Sequence, residues 1–138
     1  MTDVEKRNGG CLCGAVRYSV PHNPVVVAVC HCRDCQKQTS SAFSLVAAFP
    51  QSELEIQGEC ASFETTGASG APVKRSFCGK CGSPLFSETK SGSETGLTFI
   101  KAGTLDETDD LVPTAHVWTS SKLPWVQVPE GVFLMERE

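Results

Sequence analysis

Val25-Val26-Val27-Ala28-Val29-Cys30-His31-Cys32-Arg33-Asp34-Cys35 is the stretch that decides how this chain folds. Its first half is a β-branched run that fits a pleated, buried strand, and its second half packs three cysteines into six positions. It opens the longest segment free of Gly and Pro, which runs from Val25 to Phe49. Elsewhere 12 Gly and 8 Pro cut every apolar run short. Val, Ile and Thr number 27 against 11 for Leu and Met, a bias toward side chains that suit sheets better than helices. The expected fold is mainly β.

Period-two alternation places strands at Ala15–Val20, Val25–Cys30, Phe43–Phe49, Leu54–Gln57, Val73–Phe77, Leu97–Ala102 and His116–Thr119. One short helical turn follows Cys32, and no long helix fits. Turns are expected at Pro21–Pro24, Thr66–Ala71 and the Gly79/Gly82 pair, with Ser91–Gly96 as a mobile hairpin loop. No internal repeat is visible, so residues 1–138 are expected to form a single domain with its core over 10–128.

Composition narrows the function. With 40% hydrophobic residues the chain can bury a core of its own, and no window reaches the roughly 20 apolar residues that span a bilayer. The start, MTDVEKRNGG, is polar and lacks the apolar stretch of a secretory signal, which points to the cytoplasm. In that reducing compartment cysteines serve as metal ligands or catalysts more often than as disulfides. Seven thiolates and two Zn2+ would take the formal charge from −4 to −7, which argues against nucleic acid as a partner.

Seven of the 8 Cys form three clusters: Cys11-x-Cys13, Cys30-x-Cys32-x-x-Cys35 and Cys78-x-x-Cys81. In extended chain, residues two apart face the same side, so each C-x-C is a pincer. Cys78-Gly79-Lys80-Cys81-Gly82 has the geometry of a metal knuckle, with Gly where the backbone must turn. A structural zinc closes four protein ligands, whereas a catalytic zinc takes three and keeps one position open. That count pairs Cys11 and Cys13 with Cys78 and Cys81, stapling distant parts of the chain, and leaves Cys30, Cys32 and Cys35 as an open site. Spacing alone also permits the second cluster to be completed by Cys11 or Cys13. Cys60 stands alone and reads as a small packing residue. His31 faces away from Cys30 and Cys32 in a strand, His22 belongs to a surface turn, and His116 is either a packed strand histidine or a proton-transfer residue.

The segments Gly10–Val16, Cys30–Cys35, Ser76–Leu85, Lys101–Asp106 and His116–Trp125, in that order, resemble the glutathione-dependent formaldehyde-activating family, which also contains the centromere protein V relatives. The resemblance implies a β-tent of small coiled antiparallel sheets stapled by a zinc on four cysteines. It implies a structural zinc on Cys11, Cys13, Cys78 and Cys81 and a catalytic zinc on Cys30, Cys32 and Cys35. The activity it implies is that of a carbon-sulfur lyase, adding a thiol such as glutathione to formaldehyde or another small aldehyde. Lys37, Lys122 and Trp125 are candidates to hold the thiol peptide, and Thr39, Ser40 and Ser41 to polarise the carbonyl. The alternative is a zinc-structured binding module without catalysis, whose second site would be closed by a fourth protein ligand such as His31 or Cys60.

Overall fold

The computed structural model describes residues 5–67 and 69–137. Of the expected turn at Thr66–Ala71, residue 68 lies outside the described residues, as do residues 1–4 and 138. Among the described residues the strands form two sheets. A three-stranded antiparallel sheet runs in the order β1 (Lys6–Gly10), β2 (Arg17–Pro21), β5 (Glu55–Gln57). An eight-stranded sheet takes the order β11 (Phe133–Leu134), β10 (Ala115–Val117), β3 (Val26–Cys30), β4 (Ser44–Pro50), β9 (Leu97–Lys101), β8 (Pro84–Thr89), β7 (Pro72–Cys78), β6 (Cys60–Thr66). The fold is mainly β, and each of the seven expected strands is present with small shifts at its ends. Within the large sheet, β10 joins β3 and β11 in parallel, while the other pairs are antiparallel.

Directly opposed residues share a face of a sheet, so the register sorts the large sheet into two surfaces. One carries Val27, Ala47, Ile100 and Phe86 in a row across β3, β4, β9 and β8. These close against Val16, Tyr18 and Val20 of the small sheet and its approach, with Phe49 and Leu85 completing the core. Burying one such Ile or Phe side chain contributes about 1.5–3 kcal/mol. The opposite surface is polar at its centre. Cys30 lies across from Ser44, Val46 from Lys101, and Phe99 from Ser87, which in turn faces Arg75.

Helix α1 (Arg33–Thr39) follows β3, and its N-cap is Cys32, whose sulfur accepts from the Cys35 amide at 3.2 Å. It stops at Ser40, which takes a left-handed conformation with φ 56°. The expected loop at Ser91–Gly96 is instead helical, α2 (Lys90–Thr95). Thr89 caps its start by accepting from the Gly92 amide at 3.0 Å, and Gly96 ends it at φ 74°. A Cβ at position 92 would lie 2.9 Å from the Phe99 ring, so Gly92 lets the short helix settle on β9. Both chemical functions of the Ser/Gly-rich stretch are therefore local: a hydroxyl cap at one end and a left-handed glycine at the other.

Candidate metal centres

The first centre joins two turns. The chain leaves β1 at Gly10 and folds so that the Cys11 sulfur accepts the Val16 amide at 3.3 Å, while Cys78 accepts from the Lys80 and Cys81 amides at 3.4 and 3.5 Å. Ser83 fastens the two turns, its hydroxyl accepting from the Leu12 amide at 3.0 Å and lying 3.2 Å from the Cys81 sulfur. All four sulfurs of Cys11, Cys13, Cys78 and Cys81 lie within 4.8 Å of one another. Cys11 and Cys13 are 3.6 Å apart, and Cys13 and Cys78 3.8 Å. Four sulfurs at about 2.3 Å around a tetrahedral metal are separated by about 3.8 Å, so the cluster fits such an ion and is far too open for a disulfide.

Protonation shows the same fit. The Ser83 hydroxyl and amide draw the Cys81 thiol down to about 5, and the Val16 amide lowers Cys11. The Ala15 amide pulls on Cys13 as well, yet desolvation of its sulfur and three neighbouring sulfurs outweigh it and push that thiol up to about 11. Sulfurs this close cannot all ionise unless a cation sits among them.

The second centre is assembled by one strand end and one helix start. Cys30 closes β3, Cys32 caps α1, and Cys35 follows in its first turn, with their sulfurs again within 4.8 Å of one another and Cys35 3.4 Å from Cys30. Hydrogen-bond contacts with Cys30 and Cys32 hold the Cys35 thiol down at about 2, whereas contacts with Cys32 and Cys35 raise Cys30. Among the described residues, no fourth His, Cys, Asp or Glu joins this group. His31 is fully buried and turns its Nε2 to His116 Nδ1 at 2.9 Å, and Cys60 sits opposite Cys78 on β6. Neither candidate closes the three-sulfur site.

The family model for the glutathione-dependent formaldehyde-activating enzyme matches residues 6–121, a span that contains both centres. The chain belongs to this family. A crystal structure of a Rhodobacter sphaeroides protein shares its fold, with a TM-score of 0.59 at 21% identity over 75% of this chain and 91% of that one.

In this family member a cleft of about 510 Å³ opens beside α1, bounded by Arg33, Lys37, Ser40, Ser41, Leu123 and Trp125. It therefore borders the helix that carries Cys35. Lys37 and Trp125, singled out from the sequence, meet there, and Trp125 is 70% exposed. Lys122 does not line the cleft, because its ammonium donates to the Leu123 and Val126 carbonyls at 3.2 and 2.8 Å. Thr39 uses its hydroxyl on the Cys35 carbonyl at 2.6 Å. His116 is a buried strand residue partnered by His31, whose Nδ1 has no hydrogen-bond partner.

Sequence reasoning overlooked two buried cations, Arg75 and Lys101. Both are buried on the polar surface of the large sheet. The available signal was a lysine at a strand end, in Leu97–Ala102, whose neighbours are almost all apolar.

Proposed function

We propose that this protein is a zinc-dependent carbon-sulfur lyase. It takes a thiol cosubstrate such as glutathione at the three-cysteine centre and adds it to formaldehyde or another small aldehyde. In this reading two zinc ions bind per chain, in one domain, in the cytoplasm. The observation that carries it is the inequality of the two sulfur clusters: four sulfurs in one, three in the other, with His31 turned to His116 and Cys60 placed on β6 opposite Cys78. That inequality favours a reaction centre over a binding module with two closed sites.

Zinc held by Cys30, Cys32 and Cys35 would supply the positive charge beside which a substrate thiol, ordinarily near pKa 8.5, ionises at neutral pH. The remaining work falls to the chain. Lys37 and Trp125 bind the carboxylates and backbone of a thiol peptide along the cleft, and Lys122 fastens the Leu123–Val126 wall. Ser40 and Ser41 offer hydroxyls to the aldehyde oxygen. Sulfur attacks the aldehyde carbon, a C–S bond forms, and the carbonyl oxygen takes up a proton to give the S-hydroxymethyl product.

Cys35→Ser is the test. The variant is expected to lose thiol-dependent activity and about one zinc per chain while circular dichroism stays that of the folded protein. Wild-type protein should bind glutathione more tightly than its S-methyl analogue. Equal affinity for the two, or a full zinc complement in Cys35→Ser, refutes the assignment.

A further inference from the structure

Two cations are buried on the surface of the sheet that carries Cys30. Lys101 is 5% exposed and Arg75 6%. The Lys101 ammonium donates to Ser44 Oγ at 2.7 Å, and Ser44 stands directly opposite Cys30. Arg75 reaches the same surface from β7, across Ser87 and Phe99. Among the described residues neither cation pairs with a carboxylate: the ion pairs there are Arg7–Asp110, Arg17–Asp106 and His22–Glu5. The register places Lys101, Ser44 and Arg75 on the same face of the large sheet as Cys30, the strand end that begins the three-cysteine centre. Lysine and arginine are almost never buried without an anion to offset them, since desolvating one costs several kcal/mol.

We propose that Lys101 and Arg75 are the counter-charge of the three-cysteine centre and select an anionic, thiolate ligand for its fourth position over a neutral one. The inference rests on the thiol-binding reading above and deepens it. A divalent ion on three thiolates carries a formal charge of −1, and a fourth thiolate takes it to −2. The two buried cations bring that assembly to neutrality. With a neutral ligand the same pocket holds one unbalanced positive charge, which low local polarity makes unfavourable. The thiol's proton leaves to solvent when the thiolate binds, so the cations act on the ligand's charge and take no part in bond making. They are positioning residues.

The experiment replaces zinc by Co2+ and follows the sulfur-to-cobalt charge-transfer band. Wild type, Lys101→Met, Arg75→Met and Lys101→Arg are each titrated with 2-mercaptoethanol and, separately, with imidazole at a pH where imidazole is neutral. 2-Mercaptoethanol has no carboxylate, so its binding reads the sulfur alone. Each Met variant is expected to weaken 2-mercaptoethanol binding by about tenfold or more. Imidazole affinity should stay unchanged or improve, Lys101→Arg should track wild type, and metal should remain near two per chain. Arg75 and Lys101 stand on different strands, so either variant carries the test if the other does not fold. Unchanged thiol affinity in both Met variants, or equal losses for thiol and imidazole, overturns the counter-charge while leaving thiol binding in place. A wild-type protein whose cobalt band ignores 2-mercaptoethanol overturns the thiol reading and this inference with it.

Discussion

Replacing Cys13 by serine isolates what the four-sulfur centre contributes to folding. Cys13 is exposed, so the change opens no cavity in the core. A metal stabilises the fold only by the amount it prefers the folded chain to the unfolded one. Unfolded, the Cys11/Cys13 and Cys78/Cys81 pairs can each still grip an ion, but uniting them means closing a loop between positions 65 apart. The entropy of that closure is worth about 4 kcal/mol, which the folded state has already met. Cys30 and Cys35 are 5 apart, and closing so short a loop is worth about 2 kcal/mol. The unfolded chain can therefore hold an ion at the second centre more easily, and losing that ion destabilises the fold less. A stability of about 5–15 kcal/mol reduced by about 4 corresponds to a midpoint lowered by about 15 °C. Thermal denaturation with zinc counted per chain tests this in parallel on Cys13→Ser and Cys35→Ser. Each should lose about one zinc, and Cys13→Ser should melt well below Cys35→Ser. The opposite order refutes the argument, as does a Cys13→Ser protein that has released its zinc yet melts within about 3 °C of wild type.

Three further outcomes follow from single contacts. Ser40 ends α1 in the left-handed region, so Ser40→Gly should stabilise the protein by about 0.5 kcal/mol in urea denaturation. The Arg7 guanidinium grips Asp110 with both terminal nitrogens and holds its carboxyl below the ordinary value of 3.8. A depressed carboxylate contributes stability above its ordinary range and loses it as pH falls through the depressed value, so Asp110→Asn should lower the melting midpoint at pH 7, and its difference from wild type should shrink as pH falls below the ordinary carboxylate range. His116→Ala removes the partner of a fully buried His31 and should cost about 1–3 kcal/mol, whereas a purely catalytic His116 would leave the melting curve unchanged.

Where apolar and polar residues alternate along the chain, the strands were readable. Arg17–Pro21 buries Tyr18 and Val20 between half-buried neighbours, and Leu97–Lys101 buries Thr98 and Ile100 on one face with Leu97 and Phe99 half-buried on the other. The strands that escaped notice lack that alternation for identifiable reasons. β1 reads KRNGG, with glycines where a side chain at Gly9 would strike Tyr18 and the Thr104 carbonyl. β6 is an edge strand that buries no residue fully, so its sequence stays polar. α2 was hidden because Ser and Gly serve there as caps and as close-packing residues, roles that composition alone reads as a loop. The sulfur groupings were legible from spacing and ligand number. Lys101 and Arg75 were not, because their place on the sheet face that carries Cys30 depends on the pairing of β4 with β3 and β9 and of β8 with β7 and β9.

The register of the large sheet explains how one short chain can separate stability from chemistry. Neighbouring positions on a strand point to opposite sides, so Ile100 enters the apolar core while Lys101 beside it faces the polar surface. The same rule sends Val29 and Cys30 apart. A shift of one residue between β4 and β9 would exchange the two surfaces, placing the Lys101 ammonium in the core and removing it from Ser44. The core therefore enforces the geometry of the site. Phe49 and Ile100, both without exposed surface, hold β4 and β9 in the one pairing that brings Lys101 beside the residue opposite Cys30. The four-sulfur centre secures the other side of the arrangement, since Cys78 ends β7 three residues after Arg75. A loosened Cys78 turn would free the strand that carries one of the two buried cations. On this argument the two sulfur centres are coupled through β7, and the four-sulfur one holds the strand that carries Arg75 without touching the three-sulfur one.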